Sequence, residues 1–248
     1  MEIIRRERQM DGLAMSALLL IYLALAGAML AVWQLAPVVA LSIFLIVAVV
    51  HFAEDWPELK SNFLAQGMAI ALLATPALLH LAQLEQLFEV LAGQREAALI
   101  ANFLLLVAPM SVAVASVSVW TLWRTGFRDQ AQAGAMMVVG MMLLSPVVGF
   151  AVYFCCYHSP RHLGGALARV SSSPRSRWIV LLVTLAALGI AAALFADQVR
   201  ADLAAQSVAG SFMTLSLLTV PHMIVPAVVN AFAARRLRIA DGRGPDTA

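Results

Sequence analysis

The sequence has few charged residues and almost no cysteine. Asp, Glu, Lys and Arg make up 12% of its 248 residues, against about 25% in soluble globular domains. Its two cysteines, Cys155 and Cys156, are adjacent, and adjacent cysteines rarely pair, so no disulfide framework is indicated. The net charge of +2 is too small to indicate a nucleic-acid partner. No glycine-rich phosphate loop, serine nucleophile elbow or CxxC pair is present, which argues against nucleotide enzymes, hydrolases and thiol redox proteins.

Apolar residues are abundant instead. They make up 62% of the chain, and the mean hydropathy is +0.88, which excludes a soluble enzyme and a disordered chain. Because a transmembrane helix needs about 20 mostly apolar residues, the pattern predicts an all-α, polytopic integral membrane bundle. Clear spans lie at 13–35, 37–56, 63–83, 97–122, 177–197 and 208–234. The stretch 129–168 is either one long helix or two helices broken at Ser145-Pro146.

The distribution of Lys and Arg decides between these two alternatives, since basic residues concentrate on the cytoplasmic side of a membrane. One helix at 129–168 leaves the basic residues almost evenly divided. Two helices give eight spans with both termini cytoplasmic, and only Arg95 and Arg200 then lie outside. The cytoplasmic side holds Arg5, Arg6, Arg8, Lys60, Arg124, Arg128, Arg169, Arg175, Arg177, Arg235, Arg236, Arg238 and Arg243. We therefore predict about eight transmembrane helices.

The domain organisation is simple. We expect one transmembrane helical domain over residues 1–238 and a disordered C-terminal tail over 239–248. The basic N-terminus and the apolar run after it resemble a secretory signal. That run continues through Trp33, however, and is longer than the apolar part of a signal peptide, so we expect it to be retained as the first span.

Five histidines stand out in this apolar chain, because ionisable side chains at membrane depth usually mark function. In the eight-helix arrangement, His51, His158, His162 and His222 lie on three helices that run in the same direction. At 1.5 Å per residue, all four fall roughly 18–24 Å from the outer end of their spans. The pattern thus predicts one layer of imidazoles. His80 lies near the outer end of its span, and we interpret it as a structural residue that hydrogen-bonds a neighbouring helix.

His158 and His162 are four residues apart, a spacing that puts both on one helix face and suits two ligands of a single metal ion. Pro160 lies between them and Pro221 precedes His222, so we expect both helices to open locally at these prolines. Imidazole ligands suit Fe, Zn, Cu or Ni, so spacing alone does not choose the metal. A single layer fits one metal ion better than a pair of haems. It also fits one ion better than a histidine-lined metal transporter, whose ligands would lie at several depths.

Three segments resemble a known family: HFAEDW at 51–56, YFCCYHSPRH at 153–162 and LTVPHM at 218–223. The order and spacing of these segments are similar to those of the Brp/Blh proteins, membrane-embedded beta-carotene 15,15′-dioxygenases. The resemblance implies an Fe(2+) centre without haem, with His51, His158 and His162 as iron ligands. It implies cleavage of the central double bond of beta-carotene by O2 to give two retinal molecules, in the bacterial inner (plasma) membrane.

The resemblance extends to further residues and partners. By motif match, His222 is a candidate fourth ligand. Glu54 and Asp55 lie three and four residues after His51, which makes them candidates to ligate the metal or orient an imidazole. Arg161 is expected to extend toward the cytoplasmic interface. The expected partners are beta-carotene or a related carotenoid, O2, membrane lipid and a rhodopsin that receives the retinal. Residues expected to line the substrate path are Phe52, Trp56, Tyr153, Phe154, Tyr157, Met136, Met137, Met141 and Met142.

One departure from the family is large. The family has an N-terminal P-H-G motif helix whose histidine is a further expected iron ligand, and the segment MEIIRRERQMDGLAM has no histidine. We therefore expect a start placed too far downstream or a truncation, with His222 as a substitute ligand. The alternative functions are a truncated or inactive carotenoid-binding relative and the metal transporter.

Overall fold

The computed structural model describes residues 12–162 and 210–225, with side chains from residue 19 onward in the first range. Within these ranges the regular structure is entirely helical, which agrees with the predicted fold class. In chain order the helices are α1 (Gly12–Leu35), α2 (Pro37–Ala53), α3 (Asn62–Ala74), α4 (Pro76–Ala92), α5 (Gln94–Arg124), α6 (Arg128–Leu143), α7 (Pro146–Val152) and α8 (Gly210–Val225). A π-helical segment, Tyr153–His158, follows α7 directly, and residues 159–162 continue as helix.

Proline and glycine set most helix boundaries. Pro37, Pro76 and Pro146 each begin a helix, because proline has the right φ for a first helical turn and needs no amide partner there. Gly93 and Gly126 have φ of 93° and 92°, a left-handed conformation that lets the chain turn sharply after α4 and after α5.

The structure resolves the ambiguous stretch as two helices. α6 ends at Leu143 and α7 begins at Pro146, so the break lies at the predicted Ser145-Pro146 position. The predicted span 63–83 differs from the structure, since it is divided between α3 and α4, which bend by 53° at Thr75. Proline at position 76 starts the new helix, and α4 reaches Ala92 with a kink at His80, whose φ of −129° and ψ of 35° are not helical. The span predicted to end at 56 ends at Ala53, where the chain turns.

Side-chain contacts define two ends of the bundle. At the first, which we call the Glu58 end, Glu58 accepts hydrogen bonds from Gln130 at 3.4 Å and from Arg161 at 3.5 Å. At the second, which we call the His80 end, Nε2 of His80 lies 3.1 Å from the Leu143 carbonyl oxygen. α6 therefore runs from the Glu58 end to the His80 end, and the chain from α7 to Arg161 runs back.

The outer surface of the bundle is apolar. Leu35, Leu106 and Met110 are 85%, 76% and 71% exposed. Of the described helices, α5 alone is long and apolar enough to cross a bilayer, and the bent pair α3–α4 passes the same test together. The predicted span 177–197, the basic N-terminus and the 239–248 tail lie outside the described residues.

Candidate metal centre

Four imidazoles meet near the Glu58 end of the bundle. The ring centroid of His51 lies 4.8 Å from that of His158, 5.3 Å from that of His162 and 5.8 Å from that of His222. His158 and His162 are 4.6 Å apart. One ring nitrogen from each of His51, His158 and His162 lies within 4.8 Å of the others, close enough to hold one metal ion. The structure thus brings together the four histidines that the helix rise of 1.5 Å per residue predicts to lie in one layer.

The buried face of α2 positions His51. The residues of this helix that are buried recur every three or four positions and are Ala40, Leu41, Phe44, Ala48, His51 and Phe52. His51 occupies the last turn of that apolar face and is 7% exposed. His158 is 4% exposed, whereas His162 is partly buried and His222 is exposed. The four rings therefore extend from the protein interior to its surface.

The π-helical segment sets the position of His158. The amide of Ser159 donates to the carbonyl of Phe154, five residues back instead of four. We predicted an opening at Pro160, and the irregular backbone instead occupies the turn before it. The ring of a proline crowds the carbonyl four residues earlier, here that of Cys156, and a widened turn relieves this contact. π-helical turns occur frequently at functional sites.

The expected opening at Pro221 is not seen. α8 is continuous from residue 210 to 225. Pro221 lacks the amide that would donate to the carbonyl of Leu217. Within membranes and buried bundles, neighbouring helices can supply partners for such groups. In this structure Tyr22 donates a hydrogen bond to the adjacent carbonyl, that of Leu218, at 2.9 Å.

Asp55 lies between two of the histidines. Its Oδ2 is 2.9 Å from Nδ1 of His158, and its Oδ1 is 3.0 Å from Nε2 of His162. Tyr153 donates a third hydrogen bond to Oδ2 at 2.6 Å. Asp55 is 1% exposed and sits in the turn after α2, where its amide donates to the carbonyl of Phe52. A buried carboxylate with three donors is fixed in place.

Glu54 has a different position from Asp55. Its carboxylate is half exposed, and its Oε2 lies 3.4 Å from Nδ1 of His51. The geometry makes no hydrogen bond, so this buried nitrogen of His51 has no hydrogen-bond partner. Buried polar atoms are nearly always paired. An unpaired imidazole nitrogen in a histidine cluster is the kind of atom that a metal ion would satisfy.

The aromatic residues expected to line a substrate path surround the histidines. The ring of Phe52 lies 5.1 Å from His158, and Phe154 lies 5.3 Å from the same imidazole. Trp56 stacks on Tyr157 at 5.1 Å. Trp56 and Tyr153 are fully buried, so both belong to the packed core around the centre.

The four methionines do not form one surface. Met141 is buried against Phe52 and Tyr153 in a core cluster, whereas Met136 is 62% exposed. Met142 lines a separate apolar cavity of about 420 Å³ between α5 and α6. Their shared helix places consecutive residues on different faces.

Sequence reasoning missed two parts of the centre. It did not connect Tyr153 with Asp55. Tyr153 and His158 both contact Asp55, but they are five residues apart and share a face only in a widened helical turn. Sequence reasoning also did not predict the partners of Arg161, which lies over the ring of Tyr157 at 5.2 Å and pairs with Glu58 at 3.5 Å. That Arg161 extends toward the cytoplasmic interface stays a prediction. Two of the three acidic residues in the HFAEDWPE segment, Asp55 and Glu58, were the available signal for both contacts.

Comparison with known proteins identifies the family. The sequence matches the family described as beta-carotene 15,15′-dioxygenase over residues 2–230. The chain belongs to this family. A beta-carotene 15,15′-dioxygenase from Uncultured marine bacterium 66A03 is 28% identical over 232 residues, which cover 85% of this chain and 79% of that protein. No solved structure matches. The resemblance found in the three motifs is thereby confirmed, and membership of the beta-carotene 15,15′-dioxygenase family supports a metal-dependent oxygenase.

Proposed function

We propose that this chain is an iron-dependent enzyme that cleaves the central double bond of beta-carotene with O2 to give two molecules of retinal. Membership of the dioxygenase family supports the reaction class. The observation that carries the proposal to this chain is the convergence of His51, His158 and His162, with one ring nitrogen of each within 4.8 Å of the others. These three residues would hold the metal, and His222 is the nearest further imidazole.

The donor set fits Fe(2+). Neutral imidazoles leave a ferrous ion with its full charge and with open coordination positions. The unpaired Nδ1 of buried His51 is an orphaned polar atom that a metal ion would satisfy. When bound, ferrous iron supplies the redox chemistry that activates O2 toward a carbon–carbon double bond. Every other contribution comes from the side chains around it.

Those side chains hold the imidazoles and limit access of water. Phe52 and Phe154 pack beside His158 and cover it with apolar surface. Asp55 holds the rings of His158 and His162 through one hydrogen bond to each. At the Glu58 end, the Glu58–Arg161 pair and the stacked ring of Tyr157 lie beyond the centre. The result is an apolar region next to a rigid group of nitrogen donors.

We further propose that the chain is a multi-pass protein of the inner membrane, with both termini in the cytoplasm. The large apolar side chains exposed around the bundle would then face lipid. Beta-carotene is an apolar polyene that dissolves in the bilayer, so it would reach the centre from the membrane without an aqueous path. Retinal would leave by the same route, to a rhodopsin where one is present.

Clustering of the imidazoles supports an enzyme over a metal transporter. A transport path needs successive ligands at several depths, and His51 instead lies within 5.8 Å of the other three ring centroids. His80, the remaining histidine, is bound to the Leu143 carbonyl at the opposite end of α6. The histidines thus form one site and one structural contact.

The test is retinal formation in a bacterium that accumulates beta-carotene. The chain is expressed as wild type, as His158→Ala and as the control variant His80→Ala, with membrane levels measured by immunoblot. We expect retinal and loss of orange colour from the wild type and His80→Ala, and none from His158→Ala. Absence of retinal from a wild-type protein present in the membrane would overturn the proposal and favour an inactive carotenoid-binding relative.

A further inference from the structure

We propose that Asp55 is a positioning residue that determines which ring nitrogen of His158 and which of His162 binds the metal. The inference rests on the proposed iron centre. It assigns the ligand atoms as Nε2 of His158 and Nδ1 of His162. The observation behind it is that the carboxylate of Asp55 accepts one hydrogen bond from each of the two imidazoles.

The first step concerns the protons. An ionised carboxylate only accepts hydrogen bonds, so each ring nitrogen that faces Asp55 must carry a hydrogen. These nitrogens are Nδ1 of His158, 2.9 Å from Oδ2, and Nε2 of His162, 3.0 Å from Oδ1. In a neutral imidazole the other nitrogen then has the free lone pair.

The second step concerns direction. Those lone pairs belong to Nε2 of His158 and Nδ1 of His162. Asp55 contacts Nδ1 of one ring and Nε2 of the other. The nitrogen left to bind the metal therefore differs between the two histidines. Because both bonds come from one carboxylate, a change at residue 55 disturbs both ligands at once.

The third step concerns the rigidity of Asp55 itself. Burying a carboxylate is costly unless its oxygens are paired. Here the side chain is 1% exposed, and its Oδ2 also accepts a 2.6 Å hydrogen bond from Tyr153. The π-helical turn brings Tyr153 and His158 to the same carboxylate although they are five residues apart. Hydrogen bonds of this kind, which a metal-binding histidine donates to a carboxylate, fix the tautomer and orientation of the ring.

The variants Asp55→Asn and Asp55→Ala separate positioning from packing. Asparagine keeps the volume of aspartate but has one acceptor and one donor group. Its NH2 group therefore forces one of the two histidines into the opposite tautomer, with a proton on its metal-binding nitrogen. Alanine removes both hydrogen bonds and leaves each ring free to adopt either tautomer. A residue that only packs would give the reverse order, since alanine leaves a cavity.

The measurement is metal affinity of the purified full-length chain in detergent. Anaerobic Fe(2+) and the spectroscopic probe Co(2+) are titrated, with bound metal counted by elemental analysis and the Co(2+) absorption spectrum recorded. We expect Asp55→Asn to lower affinity by about 10–100-fold, as for other residues that orient metal ligands, and to be at least as damaging as Asp55→Ala. Asp129→Asn, an exposed acid at the start of α6, should bind as the wild type does.

The outcomes are distinguishable. A wild type that binds neither metal would overturn the iron centre itself. A wild type that binds, with Asp55→Asn within twofold of it or with only Asp55→Ala impaired, would overturn the positioning role and leave the centre standing. If Asp55→Asn does not fold, Tyr153→Phe serves instead. It removes one donor to the carboxylate, and we expect a smaller loss of affinity with an altered Co(2+) spectrum, whereas an unchanged spectrum and affinity would contradict the role.

Discussion

At the scale of single residues, the distinctive feature is the difference between two neighbouring acids. Glu54 and Asp55 follow α2 in sequence, and the turn after Ala53 sends their side chains in different directions. Asp55 is buried among three donors, whereas Glu54 remains half exposed beside His51. The two residues are adjacent and have the same charge, so the sequence alone does not distinguish them. The contacts that Asp55 makes with residues distant in the sequence give it a different role.

Glycine makes a close helix contact possible at one position. A Cβ added to Gly67 of α3 would meet Cγ1 of Val114 on α5, and valine has little rotamer freedom in a helix. We expect Gly67→Ala to destabilise the protein by about 1–3 kcal/mol through overpacking. The measurement is thermal unfolding in detergent.

The matched control is Gly27→Ala, also within a helix. A Cβ there meets nothing within 4 Å, so the lower helix propensity of glycine is the main effect. Alanine should stabilise that position by about 0.5–1 kcal/mol. Shifts of the unfolding temperature in the same direction for both variants would contradict the proposed α3–α5 contact.

At the scale of helices, the apolar pattern and the prolines predict a great deal. Proline at position 146 and the balance of basic residues favour the break that separates α6 from α7, and the structure has it. Depth arithmetic also finds the four histidines that converge, since helix rise is nearly constant. The bend at Thr75 and the π-helical turn were not predicted. Both depend on how the chain accommodates a proline, Pro76 in the first case and Pro160 in the second, and apolar periodicity contains no information on that.

His80 illustrates a polar contact between helices. Its Nε2 donates to the Leu143 carbonyl, one of the last carbonyls of α6, which have no partner within their own helix. We expect His80→Ala to lower stability by about 0.5–1.5 kcal/mol, the usual net value of one hydrogen bond. Bound iron per chain should not change.

The check on His80 pairs thermal unfolding with metal analysis of the same sample. His51→Ala is the comparison, because His51 lies at the centre of the histidine cluster. We expect that variant to lose metal. If the wild type binds its full complement of metal and His80→Ala does not, His80 is coupled to the metal centre, and its role as a purely structural contact is contradicted.

At the scale of the whole molecule, the contacts at the two ends agree with the charge distribution. The Glu58 end lies beside Lys60, Arg124 and Arg128, which we predict to lie on the cytoplasmic side. The His80 end lies far along α6 from these residues. The metal centre is nearer the Glu58 end, since Asp55, His158 and His162 adjoin Glu58 and Arg161.

The orientation in the membrane is testable at the two ends of α5. This helix has 31 residues, or roughly 46 Å at 1.5 Å per residue, enough to cross a bilayer. Gly93 and Gly126 mark the turns at its two ends, with Arg95 near the first and Arg124 and Arg128 near the second. Since basic residues concentrate in the cytoplasm, we expect alkaline phosphatase fused after Gly93 to be active and green fluorescent protein fused after Gly126 to fluoresce. The exchanged fusions, with each reporter at the other position, should be silent. The reverse pattern would invert the topology, and the same reporter active at both sites would show that α5 does not span the membrane.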